Sequence, residues 1–159
     1  MLSWEKWDAL VAAETEIARL RVDVNQLPMR AEVIERAVKC TAPWERSTAL
    51  TFLQDFPEEV PRLLELLVDL CLSSRWAPSA REALWSARYD IDAQVLGDVV
   101  LRYLADGDVE DYRLLADTLT YIEAWPALGE LIAQAGRSDD AEVREIGEEL
   151  ARSYRGLLP

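Results

Sequence analysis

The chain has 159 residues, 50% of them hydrophobic, with 6 glycines, 2 cysteines and no histidine. That length suits one domain able to bury a sizeable core, and the Leu, Ala, Glu and Arg content favours helices over strands. The formal net charge of -13, from 30 acids and 17 bases, argues against phosphate neutralisation of a nucleic acid and against an anionic membrane surface, and favours a basic partner.

In chain order, Ser3 reads as the N-cap of a first helix over 3–24. Trp4, Trp7, Leu10, Val11, Ile17 and Leu20 fall largely on one of its faces. The helix is expected to cap the fold, laying its two tryptophans on the end; a Trp-lined binding groove is the other reading. A second helix starts near Pro28 and stops near Cys40-Thr41. Thr41 or Ala42 caps a third, over 44–54, with Pro43 in its first turn. Phe56-Pro57 ends it and starts a fourth over 58–72. Pro78 opens a fifth over 78–88, and Asp90 or Asp92 caps a sixth over 92–105. Asp106-Gly107-Asp108 is the turn before a seventh over 109–122. Pro126 opens an eighth over 125–135, which Gly136 closes as a C′ glycine. The ninth follows Ser138-Asp139-Asp140, where Asp139 and Glu142 have capping-box spacing. Nothing reads as a strand.

Apolar and turn residues recur every 33 residues between Ala49 and Ala135. Phe56, Tyr89 and Ile122 form one column; Val60, Ala93 and Pro126 a second. Leu66, Val99 and Ile132 form a third; Leu67, Val100 and Ala133 a fourth. A helix pair with its turns needs about this length, so the period points to stacked hairpins. The fold class is therefore all-α, a short right-handed stack of antiparallel helical hairpins with about nine helices. One domain spans 1–159: capping helices over 1–43, three hairpins over 44–136 and a capping helix over 137–159.

Charge is placed unevenly. Residues 1–43 carry 7 acids and 6 bases, whereas 44–159 carry 23 and 11. Between Asp90 and Glu123 there are 9 acids and 2 bases, either a solvated surface or an electronegative docking face. Without histidine, Ser-His-Asp and Cys-His catalysis and most catalytic zinc sites are excluded. No phosphate-binding glycine motif or nucleophile elbow occurs, so no catalytic, cofactor or metal residue is assigned. Asp106 to Asp117 only superficially resembles an EF-hand loop: Asp111 stands where the loop needs glycine and Asp117 where it needs glutamate. Asp108 is better read as a helix cap. Cys40 and Cys71 form no disulfide framework or zinc motif; both are expected to be reduced thiols, Cys71 buried. Residues 4–8 are charged where a signal sequence would be apolar, and no stretch suits a membrane span, so a cytoplasmic location is expected.

In the fourth, sixth and eighth helices, Glu65, Asp98 and Glu130 occupy matching phases. Asp69, Arg102 and Gln134 lie one turn further along. Second helices of stacked hairpins share a surface, so these six residues form a polar ladder and a candidate partner groove. Trp76, Trp85, Tyr89 and Tyr103 could add aromatic anchors. The bland alternative is the polar side that any amphipathic helix has.

With their proline and acidic starts, Ala49–Leu70, Glu82–Tyr103 and Leu115–Gly136 resemble the HEAT/armadillo-like class of helical hairpin repeats. The W-x₂-L-G-x₂-Y pattern of tetratricopeptide repeats is missing. In size, acidity, helicity and lack of a catalytic kit, the chain is similar to a group of bacterial immunity proteins. That resemblance implies a non-catalytic partner that neutralises a basic toxin domain, such as a nuclease. The alternatives are a helical-repeat adaptor holding a peptide, a DNA-mimic inhibitor and, last, a carboxylate-based enzyme.

Overall fold

Prolines and aspartates start most of the helices. The computed structural model describes the backbone of residues 2–159 and the side chains of 4–159, so the N-cap reading of Ser3 rests on a side chain outside the described residues. Among them are nine α-helices and no strand: α1 (Leu2–Asn25), α2 (Arg30–Lys39), α3 (Pro43–Asp55), α4 (Leu64–Cys71), α5 (Ala77–Ser86), α6 (Ala93–Leu104), α7 (Val109–Tyr121), α8 (Trp125–Gly136) and α9 (Ala141–Ser153). Pro43, Pro78 and Pro126 sit in the first turns of α3, α5 and α8, where a missing N–H costs nothing. Asp92 caps α6 by accepting from the Val95 N–H at 2.9 Å. Asp108 and Asp111 form a reciprocal capping box on α7.

Three local expectations are corrected. The helix expected over 58–72 opens as two 3-10 turns, Pro57–Glu59 and Pro61–Leu63, and becomes α-helical only at Leu64. Two prolines four residues apart remove donors that a continuous α-helix would use. Asp140, not Asp139, caps α9, accepting from the Glu142 N–H at 2.8 Å. Gly136 is the last residue of α8 rather than a left-handed C′ residue, and no described glycine has positive φ. The left-handed position falls at Glu123, φ 58°, just after α7. There the Ala124 N–H reaches back to the Leu119 carbonyl at 2.9 Å and the Glu123 N–H to Thr120 at 3.1 Å, the paired bonds of a Schellman motif.

Packing alternates along the chain. α3 lies against α5, α5 against α7 and α7 against α9, while α4 lies against α6 and α6 against α8. The 33-residue interval appears as hydrogen bonds between these helices. Ser86 Oγ donates to the Leu53 carbonyl at 3.1 Å, Arg81 to Leu114 at 3.1 Å and Gln134 to Leu101 at 3.3 Å. Arg81 also donates to Thr118 Oγ1 at 2.9 Å, which satisfies a buried hydroxyl between α5 and α7.

The apolar columns hold in part. Leu67, Val99, Val100 and Ile122 are buried, and Leu66 and Ile132 half-buried. Tyr89 breaks its column: it lies beyond the end of α5, 84% exposed, with its ring 4.3 Å from the Arg88 guanidinium. Ala93, Pro126 and Ala133 are also exposed. The core is built around Leu50, Leu53, Leu67, Leu84, Leu115 and Leu128, all fully buried, with Val60 of the second column also at its centre; truncating any one of the leucines to alanine costs about 2–5 kcal/mol.

The first helix does not cap the fold as expected. Residues 4–20 are exposed throughout, with Trp4 72% and Trp7 57% accessible. Only the last turns of α1 engage the body. Val24 packs on the core, and Arg21 bonds Asp55 at 3.1 Å. Sequence periodicity marks an apolar stripe, but cannot say whether the same chain covers it.

Candidate functional site

The polar ladder lies on α4, α6 and α8, which pack side by side in that order. Its rungs are unequal. Arg102 on α6 reaches Glu65 on α4 at 2.8 Å, with both side chains about 60% exposed. An ion pair so open to water contributes about 0–1 kcal/mol, so it orients the rung more than it holds the fold. Beside it, the Tyr103 hydroxyl donates to the Glu65 carbonyl at 3.5 Å. Burial, then the neighbouring Asp69 and Glu65 carboxylates, push the Tyr103 phenol above its ordinary range. Arg62, Glu65, Asp69 and Tyr103 line a groove of about 330 Å³ that continues to Glu35 and Lys39 on α2.

Asp98 is exposed one turn back on α6, accepting from Gln94 Nε2 at 3.0 Å. The α8 rung differs. Gln134 bonds the Leu101 carbonyl and the buried Tyr112 hydroxyl, each at 3.3 Å, and so ties α8 to α6 and α7. Glu130 is half-buried and turned onto Gly97 of α6; one carboxylate oxygen is buried and accepts no hydrogen bond. The carboxylate occupies the space that a Cβ at position 97 would need.

The structure thus brings Glu65, Asp69 and Arg102 together, leaves Asp98 free at the surface, and uses Gln134, with Glu130 folded inward, in the contact between helices. Of the aromatic candidates only Tyr103 borders the ladder. Trp76 has the Arg46 and Arg75 guanidiniums 5.1 and 5.2 Å from its ring. Trp85 stacks on Arg88 at 3.6 Å and meets Tyr121 edge-on, and Tyr121 donates to Glu82. Sequence reasoning missed Glu35, Lys39 and Arg62. All three are charged residues on α2 or in the 3-10 segment, linked by Lys39–Glu35 at 2.5 Å and Arg62–Glu35 at 3.3 Å. No repeat marks them: α2 precedes the 33-residue period, and the residues one and two intervals beyond Arg62 are the uncharged Val95 and Leu128.

The wider surface is acidic. Asp90, Asp98, Asp106, Asp117 and Glu123 are exposed, and none makes an ion pair among the described residues. The two bases of that stretch are already engaged, Arg102 with Glu65 and Arg113 with Glu110 at 3.8 Å. Among the described residues, no three carboxylate or thiol side chains converge to hold a metal ion. Cys71 is buried, and burial pushes its thiol up to about 11; Cys40 is half-buried, and both are free. Among the described residues, no helix is long and apolar enough to cross a membrane. No protein-family model, curated protein or solved structure matches the chain.

Proposed function

We propose that the chain is a non-catalytic protein-binding module that receives a basic partner on its α4–α6–α8 side. The observation carrying this reading is the group of exposed carboxylates on α4 and α6, Glu65, Asp69 and Asp98, of which only Glu65 has a paired base among the described residues. Such a surface steers a cationic protein toward itself and repels anionic ones. Docking would then use Glu65, Asp69, Asp98 and Arg102, with Tyr103 as the apolar contact at the centre of the polar rim. Gln134 and Glu130 support the surface from below.

In its most concrete form the partner is the catalytic domain of a bacterial toxin, such as a nuclease, and the chain is the immunity protein that occludes it inside the cell. The alternation of helix contacts and the 33-residue hydrogen bonds support a HEAT-like stack as the scaffold. A helical-repeat adaptor gripping a peptide is the second reading, favoured by the groove between α2 and α4. Affinity capture from the source cell, with the wild type and an Asp69→Asn/Asp98→Asn variant, tests the proposal. A basic protein retained by the wild type, released by salt, depleted on the variant and inhibited by stoichiometric addition of the chain supports it. Retention unaffected by both salt and the variant refutes it.

A further inference from the structure

A large exposed apolar surface lies away from the acidic ladder. α1 presents Trp4, Trp7, Leu10, Val11, Ile17 and Leu20 to solvent, between 40% and 72% exposed. Where α1 departs from the body, a groove of about 750 Å³ opens between its C-terminal half and α2 and α3. Leu20, Val24, Val33, Ala37 and Trp44 are among its walls, and Trp44 is 86% exposed. A stripe without a cover and a groove without an occupant therefore adjoin in one chain.

We propose that the occupant is a second copy of this chain. The two α1 helices pair antiparallel about a two-fold axis near Ala13, and Trp4 and Trp7 of each copy enter the groove of the other. An isologous arrangement covers both surfaces at once, because each copy supplies one stripe and one groove. The area is sufficient. With a fully exposed tryptophan counting for about 250 Å², the stripe and groove rim leave on the order of 1,000 Å² of apolar surface in water per copy. A stable interface buries about 800 Å² a side, whereas monomers rarely keep apolar patches above about 300–600 Å².

The placement of the two surfaces fixes the direction. Trp4 and Trp7 lie at the start of α1 and the groove at its C-terminal half, so only antiparallel pairing brings the tryptophans of one copy to the groove of the other. That pairing sets Glu5 opposite Arg21, but Lys6 lies beside Glu5, and Arg19 and Arg21 already bond Glu16, Asp23 and Asp55 within the chain, so tryptophan burial rather than charge supplies the affinity. A lipid surface fits less well: α1 carries five acids and three bases, the wrong balance for an anionic interface.

Sedimentation equilibrium of the full chain tests this, with the wild type, Trp7→Glu and Trp44→Glu compared at matched concentrations. At about 10 μM, the weak end for an interface of this size, the wild type should sediment at twice its 18.0 kDa chain mass. Each substitution should weaken association by at least about 30-fold, with helicity by circular dichroism unchanged, since both side chains face solvent in the single chain. Diluting the wild type should shift tryptophan emission to the red as Trp4, Trp7 and Trp44 become hydrated. A monomeric wild type, or a dimer that survives both substitutions, overturns the proposal. Either result leaves the acidic-face reading standing, because no ladder residue takes part.

Discussion

Glu130 is the position where a binding role and a structural role make opposite demands, and Glu130→Ala separates them. The wild-type side chain lies over Gly97 with one carboxylate oxygen buried and without a hydrogen-bond partner. An unsatisfied buried polar atom costs about 1–3 kcal/mol. Alanine removes that cost and adds a few tenths of a kcal/mol, roughly, of helix propensity. Against this, it forfeits two half-buried methylenes, at about 0.8 kcal/mol each when fully buried. The balance favours the variant by roughly 0.5–2 kcal/mol, and each kcal/mol raises Tm by about 2–4 °C at this chain length.

Gly97→Ala sharpens the test. Helix propensity alone gives it about 1 kcal/mol. Apart from the neighbouring residues and backbone of α6 itself, every atom outside the Glu130 side chain lies at least 3.8 Å from the new methyl position. In the Glu130→Ala background that gain should appear in full. In the wild type the methyl must first displace the carboxylate, and the two substitutions should be non-additive because they share this contact. Differential scanning calorimetry of the four proteins gives the cycle. A Tm lowered by Glu130→Ala, or strict additivity with Gly97→Ala, would refute the inward placement of Glu130.

Two further outcomes concern the scaffold. Glu123 holds a left-handed conformation at the end of α7 that glycine adopts without steric cost; Glu123→Gly is expected to stabilise by about 0.5–1 kcal/mol, read as a higher denaturation midpoint with an unchanged m-value. Burial raises the Cys71 thiol to about 11, so the unfolded chain gives up its proton first as pH rises. Stability from this group is intact below the ordinary thiol range and declines as pH climbs toward about 11. Cys71→Ala should flatten that decline in chemical denaturation, and a slope equal to that of the wild type would contradict it.

The helical class and most element positions were legible in the sequence because proline, aspartate and the 3.6-residue pattern act locally. Pro43, Pro78, Pro126, Asp92 and Asp108 each mark a helix start that the structure keeps. The failures are of two kinds. Some turn on a choice between adjacent residues of similar capacity. Asp139 and Asp140 could both cap α9, and the Asp140 N–H bonded to Ser138 Oγ at 3.1 Å favours the second. The others depend on tertiary placement. Glu130 reads as in phase with Glu65 and Asp98, but the 33-residue interval sets it one residue back, in register with the buried Leu64 and Gly97, and the missing side chain of Gly97 leaves it room to fold inward; a mid-helix glycine is a signal that could have marked the site. Likewise the stripe of α1 was visible, whereas its projection from the body was not, since periodicity records which face is apolar and not what meets it.

The most direct test of the binding role is the affinity of the captured basic partner for the wild type and for Asp69→Asn/Asp98→Asn, measured by calorimetry at low and high salt. Both carboxylates are exposed and carry no part of the core, so the variant should fold as the wild type does. At low ionic strength the variant should bind about 3–10-fold more weakly, as expected for two rim charges. The difference should shrink at about 1 M salt, where the screening length falls to about 3 Å. Equal affinities of the two proteins at both salt concentrations would contradict the acidic face as the docking surface.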